Sequence, residues 1–226
     1  MNYRSWKPAS AIFLLALLTV TSCSAGSETV RGQDSILLTT EAAGPIKLGM
    51  SIGEARKAAT GWEFVRAINE DFFNPLVVEV RQDGKTVLIL KALEGVWDPE
   101  AKTHPINEEG EIFIIVVVDK AFRTEEGIGI GSTLVDAEKV FGKLEGMYNF
   151  PRRGETGRFS KLPEWIDFGA EAPGLNFIFE SKIKETAGFY EHDPDCKPDD
   201  PLMCNVAKKY AEDTFISKIY LLPKVE

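Results

Sequence analysis

The sequence predicts an α+β fold: two related units, each a helix followed by antiparallel strands, forming one sheet with the helices on one face. Three observations predict it. The segment GPIKLGMSIGEARKAATG, from Gly44, recurs without a gap as GIGIGSTLVDAEKVFG, Gly127 to Gly142. Setting Gly49 against Gly131 pairs Ile46 with Ile128, Leu48 with Ile130, Ser51 with Thr133 and Ala55 with Ala137. Each copy then places an acid three residues after a hydroxyl, Glu54 after Ser51 and Asp136 after Thr133. That is the capping-box start of a helix. Finally, apolar or alternating segments follow each helix, two of them joined by Asp83-Gly84, the strongest short hairpin signal. A parallel βαβ order needs a helix between successive strands, and the hairpin breaks that rhythm.

In chain order, residues 1–22 stand outside this fold. Arg4 and Lys7 precede an apolar run from Ala9 to Val20, the pattern of an export signal. The run is too short for a membrane span, which needs about 20 apolar residues. It ends in Val20-Thr21-Ser22-Cys23, which resembles a bacterial lipobox, so Cys23 is expected to become the lipidated first residue. Several acyl chains on one cysteine give stable anchoring, where a single chain is marginal. Ser24 follows, and by resemblance to the enterobacterial sorting rule a residue other than Asp here directs the protein to the outer membrane, facing the periplasm. Loss of the leader removes two bases and no acids, moving the net charge from −9 to −11. Such a balance excludes nucleic acid as a partner and electrostatic docking on anionic lipid.

Ser24 to Ser35 is small, polar and aperiodic, so residues 23–35 read as a flexible tether. The first unit spans 36–123. Its helix is expected at about Ile52 to Thr60, and its strands at Leu76 to Arg81, Thr86 to Lys91 and Glu111 to Val118. The second unit spans 124–226, with a helix at Leu134 to Phe141 and strands at Leu175 to Glu180 and Phe215 to Leu222. Pro151 to Lys161 reads as a polar loop, and Cys204 to Glu212 as a short helix. Cys196 and Cys204 are an even pair in an exported chain, read as a disulfide that contributes about 2.5 kcal/mol through loop entropy. A metal site is the rival reading, but it needs further ligands and the only histidine nearby is His192.

The order of glycine turn, hydroxyl pair, acid and alanine, as in Ser51 to Ala55 and Thr133 to Ala137, resembles the helix start of BamE-like outer-membrane assembly lipoproteins and of the tandem modules of the β-lactamase inhibitory protein. Over the second half the chain is similar to a sigma-E-regulated lipoprotein family of unknown function. The likeness rests on Gly127 to Gly142, on Cys196 with Cys204, and on the terminal strand Ile216 to Leu222. None of these families supplies catalytic residues to carry over. The assembly factor and the inhibitor act by binding other proteins.

Candidate chemistry is sparse. Gly127, Gly129 and Gly131 suggest a phosphate loop, but no Lys precedes Ser132 or Thr133 as a P-loop requires. A dinucleotide loop would need glycine where Ser132 stands. The earlier copy has Pro45 and Lys47 in place of Gly127 and Gly129, which implies that only Gly49 and Gly131 are needed, for the turn. His104 and His192 lie in no nucleophile motif. Asp193, Asp195, Asp199 and Asp200 could offer oxygen ligands to Ca²⁺, although not at EF-hand spacing. Most of Trp62, Phe64, Phe72, Phe73, Trp97, Trp165 and Phe168 are expected in the core. Trp97 and Trp165, in Pro- and Gly-rich loops, are candidate anchors for a protein partner. The reading is a non-enzymatic, membrane-anchored envelope lipoprotein without a cofactor that binds another envelope protein. A cation or small-ligand sensor using the acidic loop and an uncharacterised hydrolase are the alternatives.

Overall fold

The computed structural model describes residues 35–72, 76–93, 105–150, 154–162, 173–192 and 205–224. The described residues open with three two-residue strands, β1 (Ile36–Leu37), β2 (Ala42–Ala43) and β3 (Ile46–Lys47). Helix α1 (Ile52–Ala58) follows its N-cap Ser51, whose hydroxyl accepts from the Glu54 N–H while the Glu54 carboxylate accepts from the Ser51 N–H. Two N-terminal donors that no helix can satisfy by itself are thereby paired. Next come β4 (Glu63–Ile68), β5 (Leu76–Gln82) and β6 (Lys85–Ala92). Asp83 and Gly84 both take positive φ, 51° and 75°, the pair of values a two-residue hairpin turn demands.

β7 (Ile112–Val117) and β8 (Phe122–Arg123) precede α2 (Leu134–Phe141). Thr133 caps α2 by accepting from the Asp136 N–H, and the helix stops at Gly142, with φ 83°. The chain closes with β9 (Leu144–Phe150), β10 (Gly154–Phe159), β11 (Gly174–Glu180), β12 (Gly188–His192), β13 (Asn205–Tyr210) and β14 (Phe215–Leu222).

The expected α+β class is therefore corrected. Among the described residues the structure is mostly β, about half strand and about 10% helix. Its centre is one antiparallel sheet in the order β12-β13-β9-β10-β11-β14-β7-β6-β5-β4. The physical reason is that seven- and eight-residue helices cannot cover ten strands, and several segments lacking an apolar signature still join the ladder. Gly154–Phe159, expected as loop, is β10, paired with both β9 and β11. Asn205–Tyr210, expected as helix, is β13, paired with β12 and β9.

Ile52 and Ala55 of α1 and Leu134, Ala137 and Phe141 of α2 pack into one large apolar cluster with Leu88, Leu90, Ile115, Phe159, Phe177 and Ile219 of the sheet. Trp62 lies edge-on to Phe122, centroids 6.3 Å apart, beside this cluster, and Phe64 is buried within it. The other face carries a smaller cluster, Phe72, Val77, Val116, Ile178 and Tyr220. The turn after β4 is pinned across that face. Asp71 pairs with Lys218 of β14 at 2.8 Å, and the Phe72 ring sits 6.3 Å from Tyr220.

Candidate functional site

The junction between β7 and β14 decides where a site can form. These strands pair only from Val117–Ile219 to Ile115–Leu221. Beyond that point β7 continues to Ile112 along β6, and β14 continues to Leu222 along β11, where it meets Gly174. Pro223 follows at once, and without an N–H it cannot extend a ladder. The inner side of Ile112 is taken instead by the segment entering α1: Gly49 N–H donates to the Ile112 carbonyl at 2.8 Å, and Ile112 N–H donates to the Met50 carbonyl at 2.8 Å.

A cleft of about 530 Å³ opens where this segment and the parting strands meet, within the size range of ligand pockets. Leu48, Ile112, Phe113 and Leu222 give it an apolar lining, and Glu41, Glu111 and Lys224 its charges. Lys224 and Glu41 are 3.8 Å apart, with side chains 80% and 70% exposed, so their pairing is weak and solvent-screened. Among the described residues no hydrogen bond or ion pair engages the Glu111 carboxylate. Gly49 beside it has φ 81°, and a Cβ there would come within 3.9 Å of a Glu111 oxygen. Sequence reasoning missed this site. Its only local trace is a Glu at the head of the apolar run Glu111 to Val118 and a Pro at the end of the last one.

A second polar cluster is built into the sheet. Glu155 of β10 is 6% exposed. It accepts from the N–H of Ala187, from the N–H of Gly188 at 2.9 Å and from the Tyr190 hydroxyl at 2.6 Å. Burial, and then the hydrogen bond to Glu155, push the Tyr190 phenol well above its ordinary value. Burial, and then the charge of Glu138, push Tyr210 up to about 12. This carboxylate is fully used in holding the turn before β12, so we read it as structural.

The glycine loop is likewise closed on itself. Gly127 N–H donates to the Thr124 carbonyl, Ile128 N–H to the Thr124 hydroxyl, Gly129 N–H to the Ser132 hydroxyl, Ser132 N–H to the Gly129 carbonyl and Gly131 N–H to the Ile216 carbonyl. The Arg123 guanidinium donates to the Ile130 carbonyl at 3.1 Å and to the Ser132 hydroxyl at 2.9 Å. A phosphate cradle needs such amides turned outward; here they are spent within the loop and, for Gly131, on β14. The expectation that only Gly49 and Gly131 are required also needs correction. Gly127 has φ 83°, and a Cβ on Gly129 would lie 2.3 Å from the Phe122 carbonyl oxygen.

The residues singled out from sequence as anchor, disulfide, cation ligands or partner anchors are Cys23, Cys196, Cys204, Asp193, Asp195, Asp199, Asp200, Trp97 and Trp165. All of them lie outside the described residues, as do His104, Phe73 and Phe168. His192 ends β12. Among the described residues no group of three or more His, Cys, Asp or Glu is placed to hold a metal ion. None of the described helices is long and apolar enough to cross a membrane.

No protein-family model matches the sequence, and no curated protein matches it. Among solved structures the chain is similar to the uncharacterized protein yfeY from Escherichia coli, with 11% sequence identity, a TM-score of 0.47, and coverage of 82% of this chain and 99% of the other.

Proposed function

We propose that this chain is a bacterial envelope lipoprotein, anchored to the outer membrane through lipid on Cys23, that works by binding another envelope protein in the cleft between β7 and β14. The observation that carries the reading is the cleft itself. Two strands of an otherwise continuous sheet part, and the space between them is lined by Leu48, Ile112, Phe113 and Leu222. An apolar lining with a few charges at its edge is the anatomy of a protein hot spot, where one or two anchor side chains are desolvated. A membrane tether favours this use, because it confines the domain to the surface on which its partner is found.

The test is a photo-crosslinking amino acid placed at Phe113 in living cells, compared with the same group at the exposed Val135 on α2. One discrete adduct from position 113, not from 135, is the expected result. Adducts from neither position, or the same adducts from both, would overturn the cleft as the binding site. Replacing residues 1–23 by a cleavable export signal that lacks a lipobox should move the protein from the membrane fraction to the soluble periplasmic fraction. Its retention in the membrane would sink the lipid anchor.

A further inference from the structure

We infer that the side chain received by the cleft is an arginine carried by the partner between apolar residues. This rests on the reading of the cleft as a protein-binding site and names what is bound there. Lys224 and Glu41 bring opposite charges to the edge of the cleft and together add no net charge to it. That leaves one uncompensated charge, the Glu111 carboxylate, which is exposed and has no hydrogen bond or ion pair among the described residues. The ligand that complements an apolar cleft with one free carboxylate has a long aliphatic stem and a cationic head.

Arginine and lysine both fit that description, because their methylene stems cover apolar surface while the head stays at the edge. Arginine is favoured over lysine by its surroundings. Its planar guanidinium can bind both oxygens of Glu111 at once. It also stacks on aromatic rings, and Phe113 lines the same cleft. Gly49 supports this placement. With no side chain of its own, and a backbone at φ 81° that other residues resist, it leaves the approach to Glu111 open. An acidic anchor is disfavoured, because among the described residues lining the cleft the single cation, Lys224, is outnumbered by the carboxylates of Glu41 and Glu111. The chain's net charge of −9 adds a long-range attraction for a basic segment.

The experiment uses the full chain in detergent, titrated with blocked tripeptides, acetyl-Leu-Arg-Leu-amide and acetyl-Leu-Glu-Leu-amide, and followed by amide chemical shifts. The Arg peptide should move the signals of Glu111, Phe113 and Lys224, and the Glu peptide should not. Replacing Glu111 by Gln removes a charge-assisted contact, so Kd for the Arg peptide should weaken roughly tenfold or more. Thermal unfolding of Glu111→Gln should match the parent, since the side chain is exposed, and this separates loss of the site from loss of the fold. Equal response to both peptides, or an unchanged Kd in Glu111→Gln, overturns the inference. If position 113 still crosslinks one partner while the Arg peptide fails to bind, the arginine assignment falls and the protein-binding reading stands. If the crosslink is absent as well, both fall.

Discussion

Gly49 and Gly131 hold equivalent places in the structure: each has a left-handed backbone, φ 81° and 84°, and each donates its N–H to an isoleucine carbonyl, Ile112 and Ile216, at 2.8 and 2.7 Å. The neighbouring contacts match as well. Ile52 N–H donates to Gly110, and Leu134 N–H to Thr214. Ser51 bridges Glu111, and Thr133 bridges Phe215. Each helix thus enters the fold by laying its cap along the start of a central strand, β7 in one case and β14 in the other. The same entry that docks α1 also walls one side of the cleft.

The glycines of the second entry should therefore differ in tolerance for different reasons. Gly131→Ala meets no atom within 4 Å and suffers only its positive φ, a cost of about 1–2 kcal/mol. Gly129→Ala has an ordinary φ, but its Cβ would lie 2.3 Å from the Phe122 carbonyl oxygen, so the cost should reach about 3 kcal/mol. Urea unfolding of both variants checks the order. A smaller loss for Gly129→Ala would mean that β8 yields and that the loop is less tightly fixed than described.

Adjacent residues on β10 should respond in opposite directions. Glu155→Ala strands the buried N–H groups of Ala187 and Gly188, and the expected loss is about 3 kcal/mol. The Thr156 hydroxyl is buried, with no hydrogen-bond partner among the described residues. Valine keeps the branched shape that suits a strand, so Thr156→Val should gain about 1 kcal/mol. Denaturant midpoints decide both, and destabilisation by Thr156→Val would show that the hydroxyl has a partner.

Alkaline titration should distinguish the tyrosines. The Tyr190 and Tyr210 phenols are raised above the ordinary value of 10.0 by burial first, then by Glu155 and by Glu138 respectively. A raised folded value means that the folded state holds its proton longer. The stability this contributes is complete below pH 10 and is lost as pH climbs towards about 12, the value for Tyr210. Tyrosinate absorbance should rise last for these two groups, and Tyr190→Phe should remove the latest component. An unaltered titration curve in that variant contradicts the assignment.

Acid should act through Asp119. Burial raises its carboxyl, but the Lys85 ammonium and the Ala121 N–H outweigh that and hold it below 3.8. A depressed folded value contributes stability above pH 3.8 that is lost as pH falls through the lower folded value. Asp119→Asn should therefore cost about 1.5 kcal/mol at pH 7 and progressively less below pH 3.8. Stability curves of the two proteins that stay parallel down to pH 2 would refute this.

Much of the local structure was legible. Ser51 with Glu54 and Thr133 with Asp136 mark both helix starts, because capping depends on residues three apart. Asp83-Gly84 marks the hairpin, because only its two φ values matter. The apolar runs at Leu76, Glu111, Leu175 and Phe215 are strands because β-branched and aromatic residues suit a buried pleat. The polar segments misled. Gly154–Phe159 looks like a loop, yet it lies between β9 and β11 with Glu155, Thr156 and Gly157 buried. Gly157 fits there because a Cβ would strike Leu144 at 2.6 Å.

Helix starts, the hairpin turn and the apolar runs could be read from the residues alone, since each depends on neighbours a few positions apart. Tertiary structure alone decided that the chain is mostly β and that Glu155 is buried. It alone decided that β7 and β14 part to leave Glu111 at the head of a cleft. Those outcomes depend on which distant strands compete for the same hydrogen-bonding edge, and no short stretch of sequence records that competition.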